Sequence, residues 1–153
     1  MKTIKRIVVG VDFSAYSPEI LEYAAGVAER TSAEIVAVNI INKRRIEDIV
    51  TAINDQQLYG QVLEKLINDE TKRRTKNLND LISQWVPKQV SARTIIGRGV
   101  PFEEILKVVD DENADLLFIS SRGRTNFQDY MFGTTAEKIF KHSPVSVLSL
   151  NLR

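Results

Sequence analysis

Short apolar runs, rich in β-branched residues, recur along the chain and predict buried strands. Five such runs occupy residues 4–11, 33–41, 90–96, 116–119 and 145–150. The first and fourth runs are almost continuously apolar, which is typical of a strand that is covered on both faces. We therefore expect the strands to lie inside the protein, with helices packed on each side of them.

Helices are predicted between the strands, where apolar residues repeat at intervals of three and four. The first helix begins at Ser17, a residue type that caps helices, followed by Pro18 in the first helical position, and it ends near Thr31. A longer apolar stripe spans residues 58–85 and is interrupted by the charged segment 69–76. These patterns predict one medium and one long helix.

The other connections contain two more predicted helices and one stretch of uncertain structure. Pro101 begins a helix with an apolar inner face, and residues 135–141 form the last helix. Residues 42–57 are polar with scattered apolar positions, so this stretch is either a short helix or a mobile segment.

The alternation of strands and helices predicts an α/β fold in which residues 1–153 form a single domain. We expect a Rossmann-like open parallel sheet of five strands, in the order 3-2-1-4-5, with helices on both faces. Ligands bind such sheets outside the carboxyl ends of the strands, where the strand order reverses. The loops after strands one and four are therefore the places to look for function.

Composition narrows the class of protein without naming a function. Hydrophobic residues make up 43% and charged residues 27%, and the formal net charge is +1, as in an ordinary globular domain. No apolar stretch approaches the roughly 20 residues of a membrane span. The apolar run at the start is too short for a secretory signal, so we expect a cytoplasmic protein with no membrane partner.

Short basic runs do not indicate a nucleic-acid partner, because no aromatic residues are interleaved with them. The run Lys72-Arg73-Arg74 follows Asp69 and Glu70, which predicts a solvated helix face with ion pairs three and four residues apart. We therefore expect no nucleic-acid binding.

Cysteine is absent and His142 is the single histidine, which limits the chemistry. Thiol catalysis, cysteine-ligated zinc and multi-histidine metal sites are excluded. His142 lies at the end of the last predicted helix, where it favours the negative end of the helix dipole. We predict neither catalytic residues nor a protein metal site.

The segment after strand four combines features that suit a phosphate group. Gly123 permits a tight turn, and Arg122 and Arg124 supply charge-assisted donors. A helix opens at Gly133-Thr134-Thr135, where Thr134 and Glu137 have the spacing of a capping box, and free N–H groups at a helix start bind anions. The alternative is that these residues merely cap the helix.

The spacing of Gly123, nine residues, then Gly133-Thr134 resembles the nucleotide loop of the universal stress protein family. ATP-binding members have Gly, two residues, Gly, nine residues, Gly, then Ser or Thr. Segments 7–14, 99–105, 114–117 and 137–148 also resemble the family, in order and with consistent spacing. One departure is Ser120, which occupies the position of the first loop glycine.

The resemblance implies roles for particular residues. Gly10, Val11 and Asp12 would line the adenosine side of a pocket, and Ile40 would contact the adenine. Ribose and phosphates would be held by Gly123, Arg124, Gly133, Thr134 and Thr135. Ser120 would either crowd the triphosphate or donate its hydroxyl to it. Asp12 has an alternative role, since an aspartate after a strand often closes a turn with its own backbone.

A dimeric stress-response regulator that binds ATP, with or without magnesium, or else AMP or ADP, is therefore the expected function. The resemblance also implies a homodimer formed through strand 145–150, which would lie at a sheet edge. The alternative is a protein of the same fold that binds no nucleotide and acts through protein contacts.

An enzyme is the less favoured class, with at most slow ATP hydrolysis, because the loop offers no evident general base. The segment Gly97-Arg98-Gly99 begins like a dinucleotide-binding fingerprint, but Phe102 replaces its third glycine. No P-loop motif is present.

Overall fold

The computed structural model describes residues 3–121 and 134–150. Its strands are β1 (Arg6–Gly10), β2 (Glu34–Ile41), β3 (Ala92–Arg98), β4 (Leu116–Ser120) and β5 (Ser146–Leu150). Its helices are α1 (Ser17–Thr31), α2 (Lys43–Val50), α3 (Gln56–Trp85), α4 (Pro101–Asp111) and α5 (Thr134–His142). Strands and helices alternate as predicted, and α2 is the short helix that was one of the two alternatives for residues 42–57.

The five strands form one parallel sheet in the order β3-β2-β1-β4-β5, as the sequence predicted. β1 is central: Val8 pairs with Val36 of β2 on one side and with Leu117 of β4 on the other. β3 and β5 are the two edge strands. The strand order reverses between β1 and β4, which fixes where a ligand crevice opens in such a sheet.

The sheet separates two apolar layers because successive side chains of a strand point to opposite faces. Ile7 and Val9 pack with α1 and with Leu78 of α3 on one face. Val8 packs on the other face with a cluster that includes Ile139 of α5 and residues of α4. Both faces of β1 are thus fully buried, which explains its unbroken apolar sequence.

The start of α1 differs from the prediction. Ser17 is the first residue inside α1, and Tyr16 occupies the capping position without a side-chain hydrogen bond. The Ser17 hydroxyl instead donates to Asp12 Oδ1 at 3.4 Å. The interpretation of Ser17 as a helix cap was therefore wrong, and the residue ties the helix to the loop that follows β1.

The bounds of two strands and the continuity of one helix also differ from the prediction. β3 begins and ends two residues later than predicted, at Ala92–Arg98, and β1 is shorter than its apolar run. α3 is one continuous helix of 30 residues, and the charged segment 69–76 does not break it. Charged residues are good helix formers, so an interrupted apolar stripe does not interrupt the backbone hydrogen bonds.

Four charged side chains form a ring at the amino ends of the strands. Arg6 of β1 and Arg93 of β3 both bind the carboxylate of Glu34 on β2, at 3.2 and 2.9 Å. Both arginines also pair with Glu112, the residue that follows α4. The bond to Arg93 lowers the pKa of Glu112. The ring therefore joins three strands to the end of a helix.

Glu112→Gln should destabilise the protein by about 1 kcal/mol at pH 7, because it removes one corner of this charged network. A lowered pKa in the folded state means that the stabilisation is present above the unfolded pKa of about 4.3 and is lost as the pH falls through the folded value. The difference in unfolding free energy between the variant and wild type should therefore shrink at pH 3. Urea denaturation at both pH values measures it.

Glu137→Gln is the matched control, because among the described residues Glu137 makes one ion pair, an exposed one with Lys141 on α5. We expect almost no change in stability from that substitution. Equal losses for the two variants, or a Glu112→Gln loss that is the same at pH 3 and pH 7, would contradict the proposed role of the ring.

Candidate functional site

The carboxyl ends of β1, β2 and β4 bring several predicted site residues to one edge of the sheet. Gly10 ends β1 and is followed by Val11 and Asp12, while Ile40 and Ser120 lie at the ends of β2 and β4. These five residues come from three adjacent strands, because β1 lies between β2 and β4. The structure thus assembles this half of the predicted site.

The other half is described only in part. Thr134 and Thr135 form the start of α5, where Thr134 is exposed and Thr135 is half-buried. Arg122, Gly123, Arg124 and Gly133 lie outside the described residues.

The predicted capping box at α5 stays a prediction, because residue 133 lies outside the described residues. The carboxylate of Glu137 accepts a hydrogen bond from Lys141 Nζ at 2.8 Å, four residues ahead. His142 is the last residue of α5, as predicted, and its ring lies 6.5 Å from that of Phe102.

Asp12 holds the turn after β1. Its Oδ1 accepts a hydrogen bond from the Ser14 N–H at 2.9 Å, which is the local turn that was the alternative role for this residue. Between them, Phe13 has a φ of 59°, in the left-handed region that bulky residues seldom adopt. The turn therefore fixes the backbone where the chain leaves the sheet, and it fixes the carboxylate of Asp12 with it.

An apolar surface lies beneath these strand ends on the α4–α5 face. Ile40, Ile105 and Ile119 belong to one buried cluster. A Cβ placed on Gly10 would lie 3.6 Å from Ile119 Cγ2 and 3.8 Å from Ile105 Cδ1, so the glycine directs no side chain of its own over this surface. Apolar side chains at the carboxyl ends of parallel strands suit a purine base.

Gly97 gives Ile40 its position on that surface. The two residues are paired across β2 and β3, and a Cβ on Gly97 would lie 2.6 Å from Ile40 Cδ1. No side chain fits there unless Ile40 moves. Gly97 is therefore a packing glycine inside a strand, which agrees with the absence of a complete dinucleotide-binding fingerprint from this segment of the sequence.

Asn39, which no sequence pattern singled out, is the main polar side chain at the strand ends. It is 5% exposed, and its Nδ2 donates to the carbonyl of Val11 at 2.7 Å. Its Oδ1 accepts from Arg74 Nη1 at 2.9 Å. A polar residue in an otherwise apolar buried strand requires such partners, and this was the signal available in the sequence.

Arg74 is the second residue that sequence reasoning missed. Its side chain is only 15% exposed, and besides Asn39 it donates to the carbonyl of Ile40 at 3.2 Å. The expectation of a solvated helix face was right for Arg73, which is 59% exposed, and wrong for Arg74. α3 turns this one arginine inward, toward the end of β2.

Glu70 pairs with both arginines and anchors Arg74. Its carboxylate accepts from Arg73 Nη2 at 2.8 Å and from Arg74 Nε at 2.9 Å. The hydrogen bond from Arg73, and after it that from Arg74, lower the pKa of Glu70 from 4.5 to about 2. Glu70 is therefore ionised throughout the physiological pH range, so the anchor does not depend on pH there.

Other parts of the described chain offer no competing site. Residues 3–121 and 134–150 contain no group of three or more His, Cys, Asp or Glu that would hold a metal ion. Over the same residues, no helix combines the length and the hydropathy needed to cross a membrane. A shallow hollow of about 540 Å³ lies along one face of α3, beside Thr71 and Thr75, and it contains none of the predicted site residues.

Comparison with known proteins identifies the family. The sequence model of the universal stress protein family matches residues 3–150. Universal stress protein MJ0577 of Methanocaldococcus jannaschii is 26% identical over an alignment of 153 positions that covers 94% of this chain and 93% of that protein. The chain therefore belongs to the universal stress protein family, as the resemblance predicted.

Solved structures agree with this fold. The structure of MJ0577 matches with a TM-score of 0.84 at 22% identity, over 99% of both chains. A universal stress protein from Archaeoglobus fulgidus, solved in complex with dAMP, matches with a TM-score of 0.64 at 18% identity, over 97% of this chain and 98% of that one. Another universal stress protein, in complex with cAMP, has a TM-score of 0.67 at 16% identity over the same shares.

Gly97→Ala should lower the unfolding free energy by about 1 kcal/mol, because the new methyl group forces Ile40 out of its packing position. Gly60→Ala is the control: Gly60 lies inside α3, and a Cβ placed on it would meet no atom within 4 Å, so alanine there should stabilise the helix by about 1 kcal/mol. Urea denaturation measures both. A Gly97→Ala protein as stable as wild type would contradict the packing role.

Proposed function

We propose that this member of the universal stress protein family binds an adenine nucleotide, with ATP as the leading candidate, and acts as a dimeric regulator of the stress response. The observation that carries the proposal is the apolar cluster of Ile40, Ile105 and Ile119 at the strand ends, where the strand order reverses. The complexes of family members with dAMP and cAMP support an adenine ligand.

Each part of the nucleotide has a matching group in the chain. The base would lie against the isoleucine surface, with the backbone of Ile40 and Val11 at its polar edge. Asp12 would accept hydrogen bonds from the ribose hydroxyls. The first turn of α5, at Thr134 and Thr135, would bind phosphate through its N–H groups and positive dipole. The roles proposed for Arg122, Gly123, Arg124 and Gly133 rest on the loop pattern of the family.

Binding is proposed to regulate by shifting a population of conformations. A nucleotide that contacts both the turn after β1 and the start of α5 favours the arrangement in which the two are close together. Partners would then recognise the surface formed by the segment between β4 and α5. Turnover is expected to be slow, because the only carboxylate of the predicted site, Asp12, already closes a turn with Ser14.

The second candidate is a protein of the same fold that acts without nucleotide. Ser120 favours it, because a hydroxymethyl group stands where ATP-binding family members have the first loop glycine. Ser120 is half-buried at the end of β4 and pairs with Leu150 of β5. In the ATP complex of the first candidate, this side chain would stand close to the triphosphate.

Isothermal titration of the purified protein with ATP and magnesium should show one binding site per chain. Asp12→Asn keeps the shape of the side chain and removes its charge. It should lower the affinity for ATP by about tenfold, because a charged acceptor for the ribose becomes a neutral one. Absence of heat at millimolar ATP would refute the nucleotide-binding proposal.

Ser120→Gly separates the two candidates. If the serine blocks the site, this variant gains ATP affinity that the wild type lacks, which supports the second candidate. Wild-type binding that is equal to or tighter than that of the glycine variant supports the first. Unfolding in urea verifies that both proteins are folded at the concentrations used.

A homodimer through β5 is the remaining part of the proposal. β5 is an edge strand whose residues Val147 and Leu148 are half-buried within one chain, and an unpaired apolar edge is a template for another strand. Multi-angle light scattering at tens of micromolar should give twice the chain mass of 17.3 kDa. A species of 17.3 kDa alone would exclude the dimer at that concentration.

A further inference from the structure

We propose that Arg74 is a positioning residue for the base end of the nucleotide pocket, which it controls through Asn39 and the carbonyl of Ile40. This inference rests on the proposed nucleotide binding and assigns it a residue of α3, a helix that contributes none of the predicted site residues. Arg74 is not proposed to touch the phosphates.

The backbone hydrogen bonds between β1 and β2 stop just beyond the end of β1. Gly10 pairs with Val38, and the Val11 N–H donates to the carbonyl of Val38 at 2.8 Å. Alternate residues of a strand direct their backbone groups to the same neighbour, so the N–H and C=O of Ile40 also point to the β1 side. β1 has ended by then, and these groups face the crevice.

Side-chain hydrogen bonds hold the two strand ends at that point. The carbonyl of Val11 accepts from Asn39 Nδ2, and the carbonyl of Ile40 accepts from Arg74 Nη1. Arg74 also donates to Asn39 Oδ1, which fixes the amide in the one orientation that serves Val11. Two side chains therefore take over where the backbone ladder ends, and Arg74 contacts both Asn39 and the carbonyl of Ile40.

Arg74 holds the amide of Asn39 in a fixed orientation. Asn39 is buried, and the guanidinium of Arg74 is held on its other side by Glu70. Without Arg74, Asn39 Oδ1 loses its charged partner in a buried position, and the amide is free to turn away from Val11. The backbone at Val11 and Ile40 would then lose its fixed spacing, which is what a base bound at that edge requires.

Arg73 provides a matched control on the same helix. It binds the same carboxylate, that of Glu70, but it is 59% exposed, and within the described part of the chain its guanidinium donates to Glu70 and not to β2. Arg73→Met and Arg74→Met thus remove the same charge next to the same partner. Only the second substitution removes contacts with the strand ends.

The experiment compares wild type, Arg73→Met and Arg74→Met for two ligands: ATP by calorimetry, and inorganic tripolyphosphate by displacement of labelled ATP. We expect Arg74→Met to raise the dissociation constant of ATP about tenfold and to leave that of tripolyphosphate unchanged, because only the base end of the pocket is disturbed. Arg73→Met should leave both constants unchanged. Far-UV circular dichroism and urea denaturation establish that each variant is folded.

Arg74→Lys keeps the inference testable if Arg74→Met does not fold. Its ammonium retains the charge beside Glu70 but cannot hold Asn39 and Ile40 in the planar arrangement of a guanidinium, so an intermediate loss of ATP affinity is expected. Unchanged ATP affinity in the folded Arg74 variants, or equal weakening of ATP and tripolyphosphate, would overturn the inference. Failure of the wild type to bind ATP would instead overturn the proposed function, and this inference with it.

Discussion

The central position of β1 is the constraint on which the rest of the structure depends. β1 is hydrogen-bonded to β2 and β4 along its two edges, and both of its faces are buried under helices. The chain that leaves β1 passes into α1 on one face of the sheet, whereas α5, which follows β4, packs on the other face. The crevice between them is a consequence of this divergence.

The same constraint explains which elements the sequence could predict. Strands buried on both faces have to be apolar almost throughout, so the runs that became β1, β2 and β4 were recognised near their true positions. β3 is an edge strand of mixed composition, in which Arg93 is exposed and its neighbours are half-buried, and its bounds were displaced by two residues. The spacing of apolar residues identifies buried positions, and it predicts strand bounds less precisely where a strand is only partly covered.

The candidate site was predictable where local backbone chemistry defines it. Gly10, Asp12 and Ile40 lie at or next to strand ends, as the apolar runs indicated, and their binding roles stay predictions. The inward position of Arg74 was not predicted, because a charged residue within a charged segment gives no local sign of facing inward. Its contact with Ile40 joins residues 34 positions apart in the chain, and it depends on how α3 lies against β2.

The two ends of the sheet use polar groups in different ways. At the amino end, Arg6, Arg93, Glu34 and Glu112 are two cations and two anions that satisfy one another, so the ring carries no net charge and is suited to holding strands together. At the carboxyl end, the strands are joined by Asn39, a neutral amide that is buried at low cost because its hydrogen bonds are complete. Arg74 of α3 in turn holds Asn39 and the carbonyl of Ile40, so the polar groups at this end fix the backbone of two strand ends. Under the proposed function, stability and binding are therefore assigned to opposite ends of the same strands.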